Sequence, residues 1–338
     1  MYRDGTTVRT EDHVHFLMTH AALGDLITSL PAIIYARKIN SLDLGFTLWV
    51  PEHQMDLVKH LVGGPGIQIK ALHTFDMKTH VRSEAGPAVV NCGLKDTVTR
   101  NKMDLVTFGF VVQLDTIPRT TADMNYPHWS PVKPMHGLPK QYVVISSGAT
   151  SDNKIFHPRI MQEVIVGIRA RGYEVVVVGK STTHVKASHD TIALQVRDTF
   201  ERMPQQIQDL CVDMRDKTTL MEARDIIGNA EAIVGVDGGM LHLAGTTDCP
   251  IVYGITSVDP DDRGITRHNV YNWKVRHVWP KELACAGCQS HWVLVFTQDF
   301  RECAYEDNKC VEELKSAEML AMMDELLNYE TGTEEDNA

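Results

Sequence analysis

A buried strand that runs into two adjacent glycines and then into a helix constrains this chain more than any other feature. It reads Val234-Gly235-Val236-Asp237-Gly238-Gly239-Met240-Leu241-His242-Leu243-Ala244. Asn229-Ala230-Glu231-Ala232-Ile233 leads into it from a helical stretch, and Cys249-Pro250-Ile251-Val252-Tyr253-Gly254 reads as the next parallel strand. The segment is therefore a β-turn-α-β unit of an α/β fold. Glycines at such a turn let the backbone approach a ligand, and the first N–H groups of the helix, with the positive end of its dipole, favour an anion. The chemistry implied is diphosphate binding. Glycine placed for turn geometry alone is the other reading of the same residues.

At 338 residues the chain exceeds one small core, and two domains of roughly 100–200 residues are expected. The division falls near residue 139, where Pro127, Pro131, Pro134, Pro139 and Gly137 interrupt any apolar period and suit a crossing linker. The grammar is similar on both sides. In the first half His15-Phe16-Leu17-Met18 and Phe46-Thr47-Leu48-Trp49-Val50 read as strands, with helices over 25–40 and 54–61. In the second, Tyr142-Val143-Val144-Ile145-Ser146 is a strand, 158–171 a helix, and Glu174-Val175-Val176-Val177-Val178-Gly179 a strand buried on both faces. A helix over 220–228 precedes the glycine turn. Two doubly wound α/β domains, 1–138 and 139–315, are expected to face a cleft, with ligands beyond the carboxyl ends of the strands. A C-terminal helix and acidic tail occupy 316–338.

The net charge of −11 is not spread evenly. Residues 312–338 carry nine acids and one lysine, whereas residues 1–138 carry thirteen of each sign. The acidity thus marks a solvated tail and says little against an anionic ligand elsewhere. No lysine and arginine block points to nucleic acid. No apolar run reaches the roughly 18 residues of a membrane span. Met1-Tyr2-Arg3-Asp4-Gly5 lacks the order of a secretory signal, so a cytoplasmic location is expected.

The first half has its own glycine turn in Ala21-Ala22-Leu23-Gly24-Asp25-Leu26-Ile27-Thr28-Ser29-Leu30-Pro31. Asp25 falls at the helix start. It reads either as an N-cap that satisfies exposed N–H groups or as a carboxylate general base. In the second half Lys154 follows the Ser146-Ser147-Gly148-Ala149-Thr150 loop and precedes the helix opened by Pro158, which places an ammonium close to another helix start. An exposed loop lysine is the plainer reading. His242, in the first turn after Gly239, reads as a phosphate or sugar ligand or as a packed core histidine.

Gly24-Asp25 with its apolar run and Pro31, the Gly148–Lys154 loop, Asp216-Lys217-Thr218-Thr219-Leu220, Asp237-Gly238-Gly239-Met240-Leu241-His242-Leu243-Ala244 and the late cysteines occur in one order. Together they resemble glycosyltransferase family 9, the ADP-heptose:lipopolysaccharide heptosyltransferases, over most of residues 14–315. The resemblance implies a GT-B fold with an N-terminal acceptor domain, a C-terminal nucleotide-sugar domain, and inverting transfer without a catalytic metal. It implies that Asp25 is the base for the acceptor hydroxyl and that Lys154 neutralises the donor diphosphate. It also implies that Asp237, Gly238, Gly239, Met240 and His242 form the donor turn, with Thr150 and Thr218 near donor contacts. Such roles suit the chemistry, because a leaving nucleoside diphosphate develops charge that a lysine and preorganised backbone donors can stabilise.

Three departures stand out. Asp237-Gly238-Gly239 stands where the family usually has Asp-Thr-Gly, so a hydroxyl donor is lost. Lys180-Ser181-Thr182-Thr183-His184 holds no acid where many members place a ribose-binding glutamate, which leaves the nucleotide open. Lys154-Ile155-Phe156-His157-Pro158 varies the usual Lys-x-Trp-Pro.

Cys285-Ala286-Gly287-Cys288 has the spacing of the first pair of a zinc knuckle, and Cys303 and Cys310 follow more widely. A structural zinc site, two disulfides and free thiols all remain open. Cys92, Cys211 and Cys249 read as buried small hydrophobes. In Thr256-Ser257-Val258-Asp259-Pro260-Asp261-Asp262-Arg263-Gly264, Asp259 or Arg263 reads as a sugar contact or as part of a surface turn. Met319, Leu320, Met322, Met323, Leu326 and Leu327 suit a helix packed on a domain face.

The sequence is thus read as an inverting, nucleotide-sugar-dependent glycosyltransferase acting on a saccharide acceptor, with peripheral membrane contact as one route to a surface saccharide. A hydroxymethylated base of viral DNA, flipped into the site, is an alternative acceptor. A sugar-nucleotide epimerase and a non-catalytic nucleotide-sugar binder are the alternatives of other classes.

Overall fold

A computed structural model describes residues 14–17, 23, 24, 26, 27, 30, 46–62, 67–71, 89–91, 131–149, 151–181, 196–258, 260, 274–288, 303 and 308–331. The chain forms two compact units: Met1–Ser130 with Ala187–Ile192, and Pro131–Lys186 with Ala193–Ala338.

The first unit contains β1 (Val14–Leu17), β2 (Phe46–Val50), β3 (Ile67–Ala71) and β4 (Val89–Asn91). All pair in parallel, in the order β3-β2-β1-β4. Consecutive burial of Thr47, Leu48, Trp49 and Val50 reflects a strand covered on both faces. The edge strand β3 instead exposes Gln68 and Lys70, whose ammonium lies 5.0 Å from the centre of the Trp49 ring. Helix α1 (Met55–Val62) buries Leu57, Val58 and Leu61 while Asp56 and Lys59 face water, the spacing of one apolar helical face. Residues 23, 24, 26, 27 and 30 are helical, with Leu26, Ile27 and Leu30 buried. Asp25 lies outside the described residues.

The second unit is built on β5 (Tyr142–Ser146), β7 (Glu174–Val178), β9 (Cys211–Asp213), β10 (Ala232–Val236), β11 (Ile251–Gly254) and β12 (Val275–Val278). These six are parallel, in the order β12-β11-β10-β5-β7-β9. Every residue of β5, β10 and β11 is buried, so their aliphatic runs need no alternation. Helix α2 (Pro158–Ala170) starts with proline at its first turn and a His157 side chain that accepts from Arg159 N–H at 3.3 Å. Its Ile160, Met161, Val164, Ile165 and Ile168 pack on the sheet. Two short helices follow in the chain, α3 (Gln205–Gln208) and α4 (Leu220–Gly228). Helix α4 opens with a reciprocal capping box between Thr219 and Glu222.

The last helices, α6 (Lys309–Glu312) and α7 (Ser316–Thr331), follow α5 (Gly239–Ala244) of the glycine turn. Helix α7 belongs to the second unit. Met319, Met323 and Leu326 are fully buried in its core. Arg171 grips Asp324 through two nitrogens at 2.7 and 2.8 Å, and Arg276 bonds Glu325 at 2.8 and 3.0 Å. Gly167 lets α2 and α7 close: a Cβ there would stand 2.3 Å from Leu320 Cδ1. Among the described residues no helix is long and apolar enough to cross a membrane.

The proline-rich segment ends by docking on this unit. Lys133 N–H donates to Asp225 Oδ1 at 3.0 Å, and Asn229 Nδ2 returns a bond to Lys133 O at 2.8 Å. Val132 covers Gly228, where a Cβ would meet Val132 Cγ1 at 2.5 Å and Val132 Cβ at 3.1 Å. Valine is stiff, so Gly228→Ala should overpack the contact and lower the unfolding free energy by about 1–2 kcal/mol, after the helix-propensity gain is set against it. Denaturant titration checks this, and Val132→Ala in the same chain should restore most of the loss.

Candidate functional site

Counted from β5, the second sheet has its first strand beside its fourth. The connections leave β5 and β10 toward opposite edges, and a crevice opens at their carboxyl ends. Three loops meet at that edge: residues 147–157 after β5, residues 237–239 after β10, and residues 255–258 after β11.

The first loop is held open as a ribbon. Residues Gly148–Ala149 (β6) pair antiparallel with Arg197–Asp198 (β8). Gly148 has no room for a side chain, since a Cβ would lie 3.2 Å from Val196 Cγ1 and 3.3 Å from two carbonyl oxygens. The loop then makes a 3-10 turn at Asp152–Lys154. Beneath it, Arg215 stacks 4.5 Å over the Phe200 ring and binds Asp198 and both oxygens of Asp213. Burial opposes the Arg215 charge, but the bonds to Asp213 and Asp198 outweigh it and raise the pKa.

Lys154 is carried from this turn to Asp237. Its Nζ lies 2.8 Å from Asp237 Oδ2, with the lysine side chain 18% and the aspartate side chain 4% exposed. The other oxygen, Oδ1, accepts from the hydroxyl of the fully buried Tyr253 at 2.5 Å. His242 Nε2 stands 4.0 Å from the same oxygen. Asp237 N–H donates to Gly254 O at 3.1 Å, which fixes the start of the turn. The carboxylate is therefore the anchor of the lysine, and the lysine is the group with access to solvent.

Gly238, the N-cap residue of α5, supplies no side-chain cap. Its backbone is extended, with φ −157°, and a Cβ would lie 3.4 Å from Gly148 O. Backbone freedom is thus no reason for glycine here. What the residue does is leave space between the two loops.

The third loop ties in through Thr256, whose hydroxyl donates to Asn153 O and whose carbonyl accepts from Gly287 N–H at 3.5 Å. Around this junction Ser147 Oγ, Asn153 Nδ2 and Ser257 Oγ are buried without a hydrogen-bond partner among the described residues. Buried polar groups in that state suit a polar ligand at the crevice.

Of the residues singled out by sequence, the structure gathers Lys154, Asp237, Gly238, Gly239, Met240 and His242. Thr218 is half-buried in the loop between β9 and α4, and no hydrogen bond or ion pair among the described residues links it to the lysine pair. Asp25, Thr150, Asp259 and Arg263 lie outside the described residues. Tyr253 was missed. Its signal was a phenol within an aliphatic buried strand, where a hydroxyl must find a partner.

No disulfide joins Cys285, Cys288, Cys303 and Cys310 among the described residues. Burial, then the nearness of Cys288, Cys303 and Cys285, pushes the Cys310 thiol up to about 12. The four therefore come together, although no three histidine, cysteine, aspartate or glutamate side chains among the described residues are arranged to hold a metal ion. Cys249 is buried and Cys211 half-buried.

Comparisons with known proteins agree on family and fold. A family model described as glycosyltransferase family 9 (heptosyltransferase) matches residues 109–291, more than half of the chain. Lipooligosaccharide heptosyltransferase 2 of Haemophilus influenzae is 29% identical over 104 residues, which are 30% of this chain and only 27% of that relative's length. Among solved structures, the iron-containing dodecameric glycosyltransferase TibC of enterotoxigenic E. coli has a TM-score of 0.71 at 17% identity, covering 96% of this chain and 78% of that one. A second structure of TibC, in complex with ADP-D-β-D-heptose, gives 0.69 at 16% identity, over 94% and 76% of the two chains. E. coli ADP-heptose lipopolysaccharide heptosyltransferase II gives 0.62 at 13% identity, over 94% and 99%. These likenesses establish the GT-B-like α/β fold.

The geometry makes Lys154 and Asp237 one energetic unit. In a double-mutant cycle, Lys154→Met and Asp237→Asn should show a coupling of about 1–3 kcal/mol in unfolding free energy. Additivity within about 0.5 kcal/mol would mean that the pair does not form.

Proposed function

The chain belongs to glycosyltransferase family 9, and we propose that it transfers a sugar from a nucleotide-sugar donor to an acceptor hydroxyl with inversion at the anomeric carbon. The observation that carries this reading is the Lys154–Asp237 pair at the β5–β10 crevice, beside the start of α5. An ammonium held 2.8 Å from Asp237 Oδ2 carries the charge and the N–H donors that the oxygens of a diphosphate require.

In the proposed reaction the bond from the anomeric carbon to the diphosphate oxygen breaks as the acceptor oxygen attacks from the opposite side. Negative charge grows on the departing diphosphate, and Lys154 and the backbone N–H groups after Gly238 meet it. Such preorganised charge is strongest in a site that excludes water. Asp237 keeps the ammonium in position, and Tyr253 keeps Asp237 in place. Asp25, assigned by resemblance, takes the proton from the acceptor hydroxyl. An ADP-linked heptose is the first donor to test, because a neighbour of the same fold is described in complex with ADP-D-β-D-heptose. A saccharide is the acceptor class.

The four late cysteines are proposed as a structural metal site. Thiolates favour zinc or iron, and a related fold is described as iron-containing. Cys285, Cys288, Cys303 and Cys310 would hold the ion as thiolates and fasten the 285–288 turn, which contacts Thr256 at the crevice through Gly287.

Two measurements test these statements. Donor-dependent release of the nucleoside diphosphate should persist in EDTA. Asp25→Asn should lower kcat by about 10²–10⁴ with donor binding retained, and Lys154→Met should cost about 10²–10³. An unchanged rate in Asp25→Asn would remove Asp25 as the base. Separately, elemental analysis of the purified chain should find about one zinc or iron per chain, lost in Cys285→Ser/Cys288→Ser. A metal-free, fully folded chain would overturn the metal site.

A further inference from the structure

In sheets with this strand order, the ribose of a bound nucleotide lies over the end of the second strand, where an acid accepts hydrogen bonds from its hydroxyls. The second strand here is β7, and it runs out into Gly179-Lys180-Ser181 with no acid of its own. The tertiary structure brings one from the neighbouring strand. After β9 ends at Asp213, the chain keeps to the end of β7. Met214 N–H donates to Val177 O at 2.9 Å, and Asp216 N–H donates to Gly179 O at 3.1 Å.

Asp216 has φ 57°, in the left-handed region, which aspartate enters more readily than most residues. From there its carboxylate reaches Ser181. Oδ2 accepts both the Ser181 N–H, at 3.1 Å, and the Ser181 hydroxyl. Both tethers fall on one oxygen. Oδ1 accepts no hydrogen bond from any described residue, and Asp216 is exposed. The neighbouring Lys217 does not neutralise it, since its ammonium is bound to Asp213 O at 2.6 Å. A tethered, oriented carboxylate with one open oxygen is therefore held at the end of β7.

Its distance from the lysine pair suits a nucleotide. β10, β5 and β7 are successive neighbours, so the end of β7 lies two strand spacings, about 10 Å, from the turn at Asp237. We infer that Asp216 is the ribose-binding acid of the donor site, its Oδ1 accepting a hydrogen bond from a ribose 2′- or 3′-hydroxyl while Ser181 holds Oδ2. This inference rests on the donor reading above and adds a residue that selects ribonucleotides over their deoxy counterparts.

Calorimetric titration of the full chain with ADP, GDP, UDP and CDP, and with their 2′-deoxy and 3′-deoxy counterparts, tests it. The unaltered chain should bind its preferred diphosphate about tenfold more tightly than one of the deoxy forms. Asp216→Gly suits the left-handed backbone and should leave thermal unfolding unchanged. It should weaken the ribonucleotide about tenfold and abolish the discrimination. Binding with no ribose discrimination in the unaltered chain, or discrimination that survives in Asp216→Gly, overturns the inference and leaves the donor site standing. No binding of any nucleoside diphosphate to the unaltered chain overturns the donor reading and this inference together.

Discussion

A carboxylate that is almost wholly buried must be paired, and the loops of the second unit are arranged around that requirement at Asp237. An unpaired charge at that depth would cost several kcal/mol. Lys154 arrives from the loop after β5 to meet one oxygen, and Tyr253 arrives from β11 to meet the other. Three separate segments are thus brought into register by one ion. The turn after β10, the 3-10 turn before α2 and the end of β11 cannot shift independently without breaking a bond to it.

Helix α5 is only six residues long and has little macrodipole of its own to offer. The principal positive charge is the lysine, held by an acid that lies behind it and out of water. In the proposed reaction, charge neutralisation and backbone donors act on one ligand from two loops. The glycine at 238 leaves space between those loops, and the ribbon of β6 with β8 fixes the first of them. Buried hydroxyl and amide groups at Ser147, Asn153 and Ser257 add polar demand at the same edge.

Departures from the family pattern become intelligible in this setting. The hydroxyl missing at Gly238 leaves that residue with only its backbone to offer at the turn. The missing acid after β7 is a different case. Sequence order separates Asp216 from Ser181, but the chain past β9 continues parallel to the end of β7 and sets them side by side. A functional group can therefore be lost from one strand and supplied by the next, provided that the sheet holds both ends together.

Much of this molecule was legible in the residues alone. Continuous aliphatic runs such as Tyr142–Ser146 and Glu174–Val178 could only be strands covered on both faces, and Pro158 marked a helix start by chemistry that acts within four residues. The glycine turn and Lys154 stood out for the same local reason. Tertiary structure decided which groups meet. That Asp237 holds Lys154, that Tyr253 is the second support, and that Gly228 is small to admit Val132 all depend on strand order. Periodicity reports which side of an element is buried, whereas the identity of the partner is set by how β5, β10 and β11 are laid beside one another.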